Sequence, residues 1–274
     1  MEMTGKVCVV TGASSGIGRQ TAVDLAGEGA AVCVAARREE RLRALVEELG
    51  GSPHSYVATD VSDRGDVSRL AAHVRETYGR CDVLVNNAGF SGRGGFDGRD
   101  ALDDLHRVMA TNFFGAAYCT AELLDLLVES SPSHVVNVAS MAGRIATPGV
   151  SAYCASKFAL VGWSESIQPE LAKKGVFVSS IEPGFVPTEG FPQTDLRRDR
   201  VMRHLLGSTE EVSGAIRDAI RGRKPQRVVP RWYYLFQVPR VLTPRIYRAV
   251  AGRVMATGAA RARTSGSGPD EGSL

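Results

Sequence analysis

The chain is 274 residues long and lacks any apolar run near the ~20 residues that a membrane-spanning helix requires. It opens directly into an apolar segment and a glycine turn, without the charged, apolar and small-residue regions of a secretion signal. Cysteine is scarce: Cys8, Cys33, Cys81, Cys119 and Cys154 form an odd, scattered set with no Cys-x-x-Cys pair. That argues against a disulfide framework and a thiolate metal site. Cys8, Cys33 and Cys81 stand in or beside strand-like runs, as small buried hydrophobes of a reducing compartment do. The five histidines are dispersed, with no His-x-x-x-His spacing. No lysine follows the glycine-rich turn, which excludes a P-loop. The segment Val138-Ala139-Ser140-Met141-Ala142 lacks the glycines that flank a nucleophilic serine, which excludes a hydrolase elbow. These absences predict a cytoplasmic chain with no metal centre.

Hydrophobic residues make up 43%, which suits one globular α/β domain with a sizeable core. The net charge of +3 hides an asymmetry. Between Arg197 and Arg263 there are 16 basic and four acidic residues, against 17 basic and 26 acidic elsewhere. The basic end suits an anionic surface or ligand, or simply a solvated face. Strand-like runs at Lys6–Thr11, Ala31–Ala36, Ser55–Thr59, Asp82–Asn86, His134–Ala139, Val176–Ile181 and Arg227–Val229 alternate with helical periodicity. The helical segments are Gly16–Ala26, Glu39–Leu49, Asp66–Tyr78, Asp100–Val128 (two abutting helices), Ser151–Ala172 and Glu210–Arg221, with Pro169 placed to kink the fifth. This alternation predicts a single Rossmann-type, doubly wound parallel sheet with helices on both faces, over residues 1–230. Residues 231–263 read as an extension and the Gly/Ser/Pro-rich residues 264–274 as a disordered tail.

Three patterns carry chemistry. The turn Thr11-Gly12-Ala13-Ser14-Ser15-Gly16-Ile17-Gly18 follows a strand and opens a helix. Gly12 permits a tight turn, Gly16 lets the backbone approach a pyrophosphate, and Gly18 allows close helix–strand packing. Unpaired N–H groups and the helix dipole then favour phosphate near Ser14, Ser15 and Ile17. At the end of the second strand, Ala36 stands where a carboxylate would bind ribose hydroxyls, and Arg37 and Arg38 follow. A guanidinium suits a 2′-phosphate, so NADP(H) is expected with Arg37 as its ligand and Arg38 as a surface charge. Finally, Tyr153 and Lys157 are four residues apart on one helix. That spacing puts them on one face, where the ammonium is expected to lower the phenol pKa from about 10.

Together with Asn86-Asn87-Ala88-Gly89 and with Ser140 thirteen residues before Tyr153, these patterns resemble the short-chain dehydrogenase/reductase family over roughly residues 5 to 230. The resemblance implies an NADP(H)-dependent oxidoreductase interconverting a carbonyl and a secondary alcohol. Tyr153 would exchange a proton with the substrate oxygen, Ser140 would orient that oxygen, and Lys157 would bind the nicotinamide ribose. Asn112 would hold a helix irregularity and a water. It further implies that Asp60 and Val61 hold the adenine, that Asn87, Ala88 and Gly89 line the ribose, and that Pro183, Gly184, Val186 and Thr188 hold the carboxamide. Taken alone, Asp60 also reads as a turn cap and Asn112 as an ordinary polar helix residue. A catalytically silent dinucleotide-binding regulator is the alternative function. The family also implies a small-molecule substrate and a homodimer or homotetramer built through the helices of Asp100–Val128 and Ser151–Ala172, with no nucleic acid. Phe90, Phe185 and Phe191 suggest an apolar pocket under a loop running from Pro183 to about Leu206.

The extension departs from the family. In Arg231–Arg248 aromatic and aliphatic residues interleave with arginines, and Pro239 and Pro244 break any long helix. Such a stretch suits peripheral contact with anionic lipid. Equally, it suits packing over the cleft or a subunit neighbour.

Overall fold

A computed structural model of the protein describes residues 1–92, 96, 99–189, 206–243 and 245. Seven strands form one parallel sheet: β1 (Val7–Thr11), β2 (Ala31–Ala36), β3 (Ser55–Ala58), β4 (Val83–Asn86), β5 (Ser133–Val138), β6 (Val176–Pro183) and β7 (Gln226–Val229). Their order is β3-β2-β1-β4-β5-β6-β7. The α-helices among the described residues are α1 (Gly16–Gly27), α2 (Glu39–Glu48), α3 (Arg64–Tyr78), α4 (Ala101–Met109), α5 (Gly115–Glu122), α6 (Leu124–Glu129), α7 (Ser151–Ala172), α8 (Thr209–Gly222) and α9 (Gln237–Leu242). The doubly wound parallel sheet expected from the sequence is present.

Side-chain alternation along the strands builds a core on each face. Cys8, Val10, Val32, Val34, Val83 and Val85 join α1, α2 and α8 on one side. Val9, Cys33, Ala35, Leu84 and Val135 join α3, α5 and α6 on the other. Strands buried on both faces explain why the runs are continuously apolar rather than alternating. All five cysteines are buried thiols. Among the described residues, no helix is long and apolar enough to cross a membrane.

Most expected elements differ from the observed ones only at their ends. The stretch Asp100–Val128 differs in kind. Instead of two helices it contains α4, a π-helical turn over Ala110–Phe114, α5 and α6. Pro169 lies inside α7, which runs on to Ala172. Beyond β7, a 3-10 turn (Arg231–Phe236) and α9 follow. Tyr233 there is buried and packs with Met141, Val228 and Ile145. The Tyr233 ring lies so close to Gly184 that a Cβ on that glycine would stand 1.7 Å from it, so the extension and the β6 end share one packed surface. Arg240 stacks 4.8 Å over the Phe158 ring. The expected tail at 264–274, most of the extension beyond 243, and the loop from Gly190 with Phe191 lie outside the described residues.

Candidate active site

Because every strand is parallel, all β-strand C-terminal ends open on one edge. The switch in strand order between β1 and β4 leaves a crevice there. At that crevice the glycine turn is held by Asn87, whose side-chain amide donates to the Thr11 and Gly12 carbonyls at 3.0 and 3.3 Å. A Cβ on Gly18 would lie 2.4 Å from that amide nitrogen, so Gly18 is required for this close approach. Gly12 and Gly16 have φ of 66° and 57°, the left-handed region that glycine enters at little cost. Ser15 occupies the N-cap of α1 without a side-chain cap, leaving the first N–H groups of the helix open toward an anion. Across the crevice, Thr188 packs against Gly16, 3.0 Å from where its Cβ would be. Val186 is buried nearby.

The four residues with proposed catalytic roles meet at the ends of β4 and β5. Lys157 is 4% exposed and donates from Nζ to the Val138 carbonyl at 2.8 Å. The π-turn presents Asn112, whose Oδ1 accepts from the Phe90 N–H at 3.0 Å. Its Nδ2 donates to the Phe90 carbonyl at 2.9 Å and to Ser156 Oγ at 3.0 Å. Ser156 Oγ in turn donates to the Tyr153 carbonyl at 2.8 Å, so Asn112 ties α7 to the segment after β4. Gly89 closes this corner: a Cβ there would stand 3.0 Å from Asn112 Oδ1 and 3.7 Å from Lys157 Nζ. Ser140 Oγ accepts from the Ala142 N–H at 3.1 Å and shares a hydrogen bond with the Tyr153 hydroxyl.

The electrostatics correct one expectation. Burial pushes the Tyr153 phenol up to about 12, and the Ser140 hydrogen bond only partly opposes it. Burial outweighs any pull from the Lys157 ammonium. The ammonium nitrogen sits 5.7 Å from the Tyr153 ring centroid, aimed at the Val138 carbonyl, and burial draws its own pKa down to about 8. Four-residue spacing therefore places the two groups on one face without setting the phenol's acidity.

Other expected residues fall into place unevenly. Ala88 packs beside the core. Asp60 Oδ1 accepts from the Ser62 N–H at 3.0 Å and from its hydroxyl at 2.6 Å, a turn-capping arrangement. Val61 is buried against Gly115. Arg37 is exposed, its guanidinium 4.0 Å from the Asp60 carboxylate. Arg38, read from sequence as a surface charge, instead covers the glycine turn, donating to Ser14 Oγ at 2.9 Å and Ser15 Oγ at 2.8 Å. The sequence reading missed a further pair. Glu182 on β6 is fully buried and accepts from Arg144 at 2.8 Å and from Gln226 at 2.9 Å. This pair joins the turn after Ser140 to the strand that ends at Pro183. The ion pair's only sequence signal was a carboxylate inside an apolar strand.

Comparison with known proteins agrees with this fold. Residues 6–198 match the short chain dehydrogenase family. The chain is 34% identical over 230 residues to the 3-oxoacyl-(acyl-carrier-protein) reductase FabG of Thermotoga maritima, covering 79% of this chain and 90% of that protein. It is 36% identical over 262 residues to the EphD oxidoreductase of Mycobacterium tuberculosis, covering 88% of this chain and 44% of that protein. A crystal structure of a short chain dehydrogenase/reductase from Burkholderia phymatum in complex with NAD superposes with a TM-score of 0.78 at 29% identity, covering 88% of this chain and 94% of that one.

Tyr153→Phe removes the hydroxyl and leaves the packing. It should retain coenzyme binding and lose at least about a hundredfold in turnover. Near-native turnover would exclude the tyrosine as proton donor. Lys157 carries its charge below about 8, so the rate of carbonyl reduction should fall as pH climbs through that value. A flat profile from pH 7 to 9.5 would contradict the role of its charge.

Proposed function

The chain belongs to the short-chain dehydrogenase family of oxidoreductases, and from that premise we propose that it is an NADP(H)-dependent enzyme interconverting a carbonyl and a secondary alcohol. The observation that carries this reading is the convergence of Tyr153, Ser140, Lys157 and Asn112 on the crevice beside the glycine turn. The bound dinucleotide supplies hydride. The chain's own residues do the rest. In reduction, the Tyr153 hydroxyl gives its proton to the developing alkoxide, and a phenol held near 12 is fully protonated for that step. Ser140 positions the substrate oxygen beside it. Lys157 binds ribose hydroxyls, and Asn112 fixes the segment carrying Gly89 and Phe90 against α7. Asn87, Ala88 and Gly89 line the ribose, Asp60 and Val61 the adenine, and Pro183, Gly184, Val186 and Thr188 the carboxamide. With these groups assembled, catalysis is favoured over a silent regulatory role. Coenzyme binding without hydride transfer across a panel of ketones and alcohols would support the regulator instead.

The preference for NADP(H) rests on Ala36, which supplies no carboxylate for a ribose 2′-hydroxyl, and on the arginines after it. Arg37 faces solvent at the end of β2, where a 2′-phosphate would be reached, and Arg38 already lies on the serines of the glycine turn. Arg37→Ala and Arg38→Ala should each weaken NADPH about ten- to hundredfold while changing NADH little, the worth of a charge-assisted hydrogen bond. Equal losses for both coenzymes would remove the assignment.

Two further parts of the reading concern surfaces. The α4–α5 face leaves Leu102 and Phe114 exposed, with Phe114 stacked 6.1 Å from Tyr118, which supports assembly into a homodimer or homotetramer there. A monomer at all concentrations in sedimentation would refute it. In the extension, Tyr233 is packed inward, while Trp232, Tyr234, Leu235, Val238 and Leu242 are exposed. From 231 to 263 there are seven arginines and no acidic residue. We infer that the segment's root packs on the catalytic domain while its outer face touches anionic lipid. The full chain should co-sediment with phosphatidylglycerol vesicles at low salt. Leu235→Ser/Leu242→Ser, which spares the buried Tyr233, should not. Equal partitioning of both would leave the segment as a packing element alone.

A further inference from the structure

Thr188 crosses the glycine turn at Gly16, and the next residue, Glu189, reaches the arginines at the head of α2. Glu189 Oε1 accepts from Arg38 Nη1 at 2.8 Å, and Oε2 accepts from Arg41 Nη1. The same Arg38 guanidinium donates to Ser14 Oγ and Ser15 Oγ. One carboxylate thus closes a ring drawn from the turn after β1, the start of α2 and the segment after β6. Its pKa is held below the usual carboxylate range, first by Arg41 and then by Arg38, so it is an anion at neutral pH.

Two guanidinium groups beside two serine hydroxyls and an open helix N-terminus are the donor set of a phosphate monoester. A carboxylate that joins both guanidinium groups is a smaller anion on that set. From this we propose that Glu189 is an internal competitor for the coenzyme's 2′-phosphate. It holds Arg38 and Arg41 when the phosphate is absent and yields them when the phosphate arrives, and Arg41 is a further phosphate ligand beside Arg37 and Arg38. The inference rests on the NADP(H) reading. Glu189 stabilises the coenzyme-free state only, so it lowers NADP(H) affinity and speeds release of the spent coenzyme without touching the reacting atoms. NADH has no group to displace it.

The test uses the full-length protein and fluorescence titration with NADPH and NADH. Glu189→Gln keeps the size of the side chain and removes its charge. Its NADPH affinity should rise about five- to tenfold, within the worth of two solvent-exposed ion pairs, while NADH affinity stays within about twofold. Stopped-flow displacement should show the gain mainly as slower NADPH dissociation. Arg41→Ala should weaken NADPH, and adding Glu189→Gln to Arg41→Ala should then gain less than it does in the native protein, because one of the two contacts of Glu189 is already gone. Unchanged or weaker NADPH binding by Glu189→Gln would overturn the inference. Selective loss of NADH binding would overturn it too, showing Glu189 to be a ribose ligand. If the native protein prefers NADPH and depends on Arg37 or Arg38 while Glu189→Gln is silent, this inference fails alone. If the native protein shows no preference and no dependence on those arginines, the coenzyme reading fails with it.

Discussion

An ammonium group taken out of water must be repaid by its surroundings, and Lys157 imposes that demand on the whole catalytic corner. It is buried at the C-terminal edge of the sheet, and it donates to the carbonyl of Val138, the last residue of β5. That contact sets how far α7 slides along the sheet, and so where Tyr153, one turn earlier, presents its hydroxyl. Ser156 beside the lysine is fully buried and is held by Asn112 from the π-turn. Asn112 in turn fixes Phe90 after β4. A π-turn costs hydrogen-bond regularity, and functional sites are where such turns concentrate. Here one asparagine of the turn makes three hydrogen bonds that join the turn to α7 and to the segment after β4.

The dinucleotide side of the crevice follows a different rule. There, closeness of backbone is the constraint, and glycine and asparagine satisfy it. Gly12 and Gly18 are bare because Asn87 must reach the turn, and Gly16 is bare because Thr188 crosses it. Deeper in the sheet, Asn86 donates to Thr120 and Asn137, and Asn137 donates to Ser164, so the polar groups under the site are joined rather than isolated. The result is a rigid floor with charged groups at its rim, where exchange with ligand is least costly.

The sequence made the floor legible and left the rim obscure. The strand Ala31–Ala36 was readable because it is buried almost throughout, and the helix Ser151–Ala172 because apolar periodicity is local. The split of Asp100–Val128 was not, because its π-turn is stabilised by partners 22 and 44 residues from Asn112. Tyr153 and Lys157 were found by spacing. The acidity of the Tyr153 phenol was misjudged because spacing carries no information on burial or on where an ammonium points. Arg37 and Arg38 are neighbours with the same chemistry. The contact that separates them, Arg38 to Glu189, spans 151 residues. Tyr233 read as part of an amphipathic tail, yet its ring fills the space that Gly184 leaves.

The central claim is that Lys157 is a desolvated ammonium built into this corner, and its titration tests that without any substrate. The chain has only five lysines, so a 13C-lysine NMR titration can follow each of them. One resonance should titrate near 8 and vanish in Lys157→Met. If Lys157 instead titrated near the ordinary lysine value of about 10.4, it would be solvated, and the account of the site built around it would not stand.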